Sequence, residues 1–257
     1  MKNNISAKVL LEMVKKGNNL AAAKLISLIE KENETAKKII RYKIRKKQIP
    51  IAGITGAPGA GKSTLIDKII HNLRRKDKKI GVILCDPKSP ISGGAFLGDR
   101  VRMQGHSIDE KVFIRSMTAD SSSLVAKQVN GVIKIFTALG KDFIIIETVG
   151  GGQQDFGLRK IVKTLVLVLT PESGDDIQLL KSGVLETADV IVVNKQDRDE
   201  ESVFFSRLQN LFGDSRRLND GWQPILLKTC ATASREGEGI EELTAAIMSH
   251  FKFVSQN

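Results

Sequence analysis

Nine consecutive residues, Gly56-Ala57-Pro58-Gly59-Ala60-Gly61-Lys62-Ser63-Thr64, fit G-x-x-x-x-G-K-[ST] at every fixed position. Each residue type answers a need of an anionic ligand. The glycines let successive backbone N–H groups turn toward a phosphate with no Cβ in the way. Lys62 offers a cation to β- and γ-phosphates, and Ser63 offers a hydroxyl to Mg²⁺. A helix starting there adds its positive pole. Such a stretch binds a nucleotide.

Three other stretches carry matching chemistry. Asp142-Phe143-Ile144-Ile145-Ile146-Glu147 is an apolar run tipped by a carboxylate, the pattern of an acid that holds or orients Mg²⁺ beside a phosphate loop. Residues 86–103 form a long Gly/Pro-rich stretch with Asp86, Asp99, Arg100 and Arg102. It follows a strand's C-terminal end, where open α/β sheets bind ligands. Asn194-Lys195-Gln196-Asp197 ends another apolar run and reads N-K-x-D. There an ionised Asp197 would accept hydrogen bonds from guanine N1–H and its 2-amino group, neither of which adenine offers, so discrimination is strong. Cys230 and Ala231 end a last strand and Thr232 follows it, where the three would back the base. Asp86 or Glu147 could orient an attacking water, with Gln153 and Gln154 as further candidates. Arg100 or Arg102 could supply charge to the reaction or fix the loop through a salt bridge.

The elements that must position these residues follow from periodicity. Apolar strands are expected at 49–55, 79–85, 111–115, 142–147, 165–169, 189–193 and 224–231. Leu65, Ile66, Ile69, Ile70 and Leu73 give a helix after the glycine loop, and further helices are expected over 123–139, up to Glu186, and over 237–251. Strands alternating with helices imply an α/β fold, a mostly parallel sheet with helices on both faces. Ahead of it, residues 1–48 read as a helical extension of two or three amphipathic helices, and 49–257 as the nucleotide-binding domain.

The chain has 257 residues, with 40 Lys and Arg against 29 Asp and Glu. Of that excess of 11, residues 1–48 supply 9, from 13 basic and 4 acidic side chains. A basic segment of this kind is either a set of solvated helix faces or a docking surface for an acidic partner. No aromatic-rich RNA motif or zinc finger accompanies it, so nucleic acid is not expected as a partner. Cys85 and Cys230 stand far apart with no metal-site spacing, which fits a reducing cytoplasm. No secretory signal and no apolar run of about 18 residues is present, so no membrane partner is expected.

In order and spacing, GAPGAGKST (56–64), DPKSPISGGAFLGDRVRM (86–103), VFIRSM (112–117), ETVGGGQQD (147–155), SGDDIQLLKSGVLETADVIVVNKQD (173–197) and LKTCATASREGEGIEEL (227–243) resemble the MeaB/ArgK family of P-loop GTPases. The resemblance implies a P-loop NTPase fold of the SIMIBI-like type and a GTPase using GTP/GDP and Mg²⁺. It further implies a chaperone that gates cofactor loading and protects an adenosylcobalamin-dependent acyl-CoA mutase of the methylmalonyl-CoA mutase type. Carried over by position, Lys62 would contact phosphate, and Ser63, Asp86, Asp99 and Glu147 would surround Mg²⁺ and its waters. Asn194, Lys195 and Asp197 would read the base, and residues 86–103, 147–156 and 170–181 would report nucleotide state to the mutase.

The sequence departs from the family at Thr118-Ala119-Asp120-Ser121-Ser122-Ser123, where relatives carry a basic, glycine-rich run, and at Gly151-Gly152-Gln153-Gln154-Asp155, where they tend to read V-G-Q-S-E. Relatives often continue into a helical arm that dimerises, so a homodimer stays open. Two other functions compete. One is a nickel-delivery GTPase, against which stand the scattered His71, His106 and His250 and the two lone cysteines. The other is an ArgK-like kinase linked to amino-acid transport.

Overall fold

The computed structural model describes residues 6–31, 33–43, 48–87, 104–106, 108–119, 129–148, 159–171, 184–194, 201–213, 221–230 and 237–256. Its elements in chain order are α1 (Ala7–Lys15), α2 (Asn19–Glu30), α3 (Glu34–Lys43), β1 (Ile51–Gly56), α4 (Lys62–Arg75), β2 (Ile80–Pro87), β3 (Val112–Ala119), α5 (Val129–Ala138), β4 (Phe143–Glu147), β5 (Thr164–Leu169), α6 (Val184–Thr187), β6 (Val190–Val193), α7 (Glu201–Gly213), β7 (Ile225–Lys228) and α8 (Ile240–Gln256). A single 3₁₀ turn, Gln104–His106, lies between β2 and β3.

The described strands make one sheet in the order β3-β2-β4-β1-β5-β6-β7, with every pair parallel. Its central strands are apolar without alternation because both faces are covered. Within β4, Ile144 and Ile146 enter a cluster with α1, α2 and α5, whereas Phe143 and Ile145 enter a second cluster with α4 and α8. The next strand divides likewise: Val166 and Val168 face α4 and α8, and Leu167 and Leu169 face a third cluster under α7. The sheet's carboxyl edge therefore collects the ends of β1, β2, β4, β6 and β7.

All seven expected strands are present, with shifted ends. The longest shift is in β3, which runs to Ala119 because it pairs with β2 along its whole length, as far as Pro87 with Ala119. The C-terminal helix starts at Ile240 and runs to Gln256. Of the helix expected over 123–139, residues 123–128 lie outside the described part. Helix α7 was not expected from the sequence; its Phe204, Phe205 and Leu208 pack on the cluster that holds Ile191 and Val193.

The amino-terminal helices are built into the core. Ser6 and Asn18 cap α1 and α2 by accepting from the backbone N–H groups of Val9 and Ala21. Leu10, Leu11, Val14, Leu25, Ile26 and Ile29 are buried in the same cluster as Val132, Ile135 and Phe136 of α5. A polar clasp adds to this: Arg115 of β3 pairs with Glu30, and its guanidinium also donates to Ser27 Oγ at 3.2 Å. Among the described residues, no helix is long and apolar enough to cross a membrane.

Beneath α8, buried His250 places Nδ1 3.0 Å from Thr164 Oγ1 and Nε2 3.3 Å from Asp189 Oδ1, and meets the Trp222 ring edge-on. Asp189 also accepts from Arg159 at 2.6 Å. Burial, helped by the Arg159 charge, lowers the His250 pKa to about 4. In the unfolded chain this imidazole takes up its proton near its ordinary value of about 6.5, and in the folded chain only near 4. Between those values the unfolded state binds more protons, so acidification lowers stability; above about pH 6.5 the effect vanishes. Melting temperatures should therefore fall as pH drops from about 6.5 toward 4. His250→Asn, although less stable at neutral pH, should show a shallower fall. An equal slope in both proteins would assign the acid sensitivity to other groups.

Candidate functional site

The nucleotide loop stands where β1 hands over to α4. The last strand residue, Gly56, has φ 145°, and a Cβ there would run into the carbonyl oxygen of Val168 on β5. Gly61, the N-cap of α4, sits in the left-handed region at φ 86°, and a Cβ would come within 2.5 Å of Asn194 Nδ2. Both positions require glycine, one for close approach of two strands and the other for a sharp entry into the helix.

Lys62 is buried, and its Nζ donates to the carbonyls of Gly56 at 2.9 Å and Ala57 at 3.0 Å. The ammonium thus ties the end of the loop to its beginning. Ser63 is buried beside it and donates from Oγ to Glu147 Oε1 at 2.8 Å. Glu147 reaches this position because β4 lies next to β1, with Ile54 opposite Glu147. An apolar strand delivers the carboxylate, which explains how a charged group comes to be buried there. The next residue, Thr148, donates from Oγ1 to Thr55 Oγ1 at 3.2 Å and from its N–H to the Ile54 carbonyl.

Asn194, at the end of β6, joins this site to the end of β7. Its Nδ2 donates to the Ala60 carbonyl at 2.9 Å, and its Oδ1 accepts from Thr229 Oγ1 at 3.3 Å. Its backbone N–H donates to the Leu169 carbonyl. The side chain expected to read a base therefore also fixes the phosphate loop, and Thr229 fixes that side chain. Cys230 follows, buried, with its backbone paired to Glu238.

The structure thus brings together Gly56, Ala57, Ala60, Gly61, Lys62, Ser63, Glu147, Asn194 and, one residue beyond Thr229, Cys230. Pro58, Gly59 and Thr64 complete the turn and the first helical residues, all three exposed. Asp86 is placed only by its backbone, opposite Thr118 near the end of β2. Asp99, Lys195, Asp197, Ala231 and Thr232 lie outside the described residues, as do Gln153, Gln154, Arg100 and Arg102. Thr55, Thr148 and Thr229 were missed at the sequence level. Their only signal is a threonine within or just past an apolar strand, too common to single out.

The residues fit a magnesium nucleotide on structural grounds. A hydroxyl and a carboxylate, both buried, stand 2.8 Å apart beside a buried ammonium and a glycine loop that tolerates no Cβ at two points. This is the oxygen donor set that suits a hard divalent cation with phosphate ligands.

One sequence-level reading changes. Of the three histidines that look scattered along the chain, His71 and His106 are neighbours, with ring centroids 4.6 Å apart. Their separation in sequence hid a meeting between a helix face and the 3₁₀ turn.

Comparison with known proteins agrees with this geometry. A family model described as methylmalonyl Co-A mutase-associated GTPase MeaB matches residues 22–257. A Pyrococcus horikoshii protein bearing a GTPase name is 45% identical over 257 residues, 96% of this chain and 78% of that one. GTPase ArgK of Escherichia coli is 38% identical over 200 residues, 76% of this chain and 60% of that one. The crystal structure of an LAO/AO transport system kinase has a TM-score of 0.76 at 25% identity, with 99% of this chain and 77% of that one covered.

Proposed function

The chain belongs to the MeaB family of methylmalonyl-CoA mutase-associated GTPases, and on that premise we propose a GTP-hydrolysing chaperone that gates cofactor loading into an adenosylcobalamin-dependent acyl-CoA mutase and protects it. The observation that carries the nucleotide half is the Ser63–Glu147 pair beside Lys62. The partner half rests on the family.

Phosphoryl transfer asks the protein mainly for positioning and charge. Lys62 and the loop N–H groups seat the β- and γ-phosphates and stabilise charge that grows on their oxygens. Ser63 and Glu147, with Asp86 near the end of β2 and Asp99 further along the chain, would hold Mg²⁺, which when bound supplies further positive charge to those oxygens. Asn194 keeps the loop in register with the base side, while Lys195 and Asp197 take the base and Cys230, Ala231 and Thr232 back it. Asp86 or Glu147 would orient the attacking water. The intrinsic rate is expected to be low until a partner engages the segments around 86–103, 147–156 and 170–181.

The test is retention of a purified corrinoid acyl-CoA mutase on the immobilised protein, loaded in turn with a non-hydrolysable GTP analogue and with GDP. Retention that differs between the two states supports the proposal. No retention in either state would refute the chaperone role and leave the GTPase untouched.

A further inference from the structure

Asp67 and His71 stand one turn apart on α4, and His106 meets them from the 3₁₀ turn Gln104–His106. All three present a ligand atom, and those atoms lie within 4.8 Å of one another. His106 Nε2 is 2.8 Å from Asp67 Oδ1, and His71 Nε2 is 4.0 Å from Asp67 Oδ2. His106 is buried and Asp67 half-buried, whereas the His71 side chain is 66% exposed. We propose that Asp67, His71 and His106 bind a divalent transition-metal ion of the zinc, nickel or cobalt class, with the remaining coordination position open to solvent beside His71.

The distances suit this ion. Metal–nitrogen and metal–oxygen bonds of about 2.0–2.2 Å in a tetrahedral site place neighbouring donors roughly 3.4 Å apart. His106 Nε2 stands 2.8 Å from Asp67 Oδ1 and His71 Nε2 4.0 Å from Asp67 Oδ2, and all three ligand atoms lie within 4.8 Å, so an ion draws the side chains together by about 1 Å or slightly more. Two imidazoles and one carboxylate select borderline transition metals over Mg²⁺ or Ca²⁺, which take oxygen ligands. Three protein ligands with an open fourth position make an exchangeable site rather than a closed structural one.

The ligands are also held in place. Arg74 of α4 donates to Asp109 Oδ2 at 2.6 Å, and Asp109 N–H returns to the His106 carbonyl at 3.2 Å. This brace fixes the turn against the helix with His106 already pointing at Asp67. An Asp67–His106 hydrogen bond alone would satisfy packing, but it does not call for a third ligand residue at the same spot. One neighbour opposes binding: Lys68 Nζ lies 3.8 Å from Asp67 Oδ2 and competes for the same carboxylate. A bound ion must displace it, which implies moderate affinity and a direct test.

Untagged, chelator-treated protein of all 257 residues is titrated with Zn²⁺ by calorimetry in excess Mg²⁺, which competes for Ser63 and Glu147. One ion per chain is expected. His71→Ala should weaken binding by about tenfold or more, since even outer-shell partners of a ligand are worth that much. Lys68→Met should tighten it. Co²⁺ should give the visible absorption of a low-coordinate nitrogen–oxygen site, lost in His71→Ala. His71 lies on the surface, so that variant stays folded, as circular dichroism would verify. Absence of Zn²⁺ binding, or equal affinity in the wild type and His71→Ala, would overturn the proposal. None of its three ligands serves the nucleotide, so either assignment can fail alone.

Discussion

Lys62→Met is expected to weaken binding of GTP by about 100-fold or more, and to lower the melting temperature of the nucleotide-free protein by only a few degrees. The methionine keeps most of the buried stem, so the packing around α4 survives. What disappears is the ammonium, together with its bonds to the Gly56 and Ala57 carbonyls. Hydrogen bonds to a charged group are worth roughly 1.5–3 kcal/mol, and about 3 kcal/mol corresponds to a hundredfold change in affinity. Calorimetry with Mg²⁺ and GTP reads this directly. Unchanged affinity would separate the glycine loop from the nucleotide and remove the basis of the proposed function.

Gly56→Ala is expected to be the most destabilising single-methyl addition in this region. The new methyl would meet the Val168 carbonyl oxygen between two central strands, and the backbone sits at φ 145°. Neighbouring backbone is not a flexible side-chain tip that can step aside, so β1 and β5 must separate where Gly56 faces Val168. A cost of about 3–5 kcal/mol follows from forced strain of this kind. In a chain of this size that lowers the melting temperature by on the order of 10 °C. Gly59→Ala is the control. Gly59 also has positive φ, 81°, but nothing lies within 4 Å of its added methyl. It should lose only about 1 kcal/mol. Equal melting temperatures for the two variants would refute the close approach at Gly56.

The nucleotide loop, the Glu147 strand and the alternation of strands with helices were all legible in the sequence. Buried parallel strands are unbroken apolar runs, and the loop's fixed residues sit between one such run and a helical stripe. The order of strands was not legible, since nothing local to β1 says that β4 and β5 flank it. Helix α7 escaped because adjacent Phe204 and Phe205, followed by Ser206 and Arg207, blur a three- and four-residue repeat. Asn194 was placed with the base by its motif, yet its bond to Ala60 is a tertiary fact with no sequence signature. Asp67 and His106 illustrate the same limit, for only folding shows that a helix face and a distant turn share one hydrogen bond.

The way α1 and α2 sink their apolar stripes into the cluster around Phe136 reaches beyond the active centre. Trimming the chain to its nucleotide-binding portion would not shed an independent appendage. It would peel the lid from an oily compartment, leaving Val132, Ile135 and Phe136 wet. The exposed lysines on those same helices and their caps, Lys8, Lys15, Lys16, Lys24 and Lys31, consequently ride on a firm foundation. Whatever approaches that side meets a fixed pattern of positive charge instead of a trailing tether.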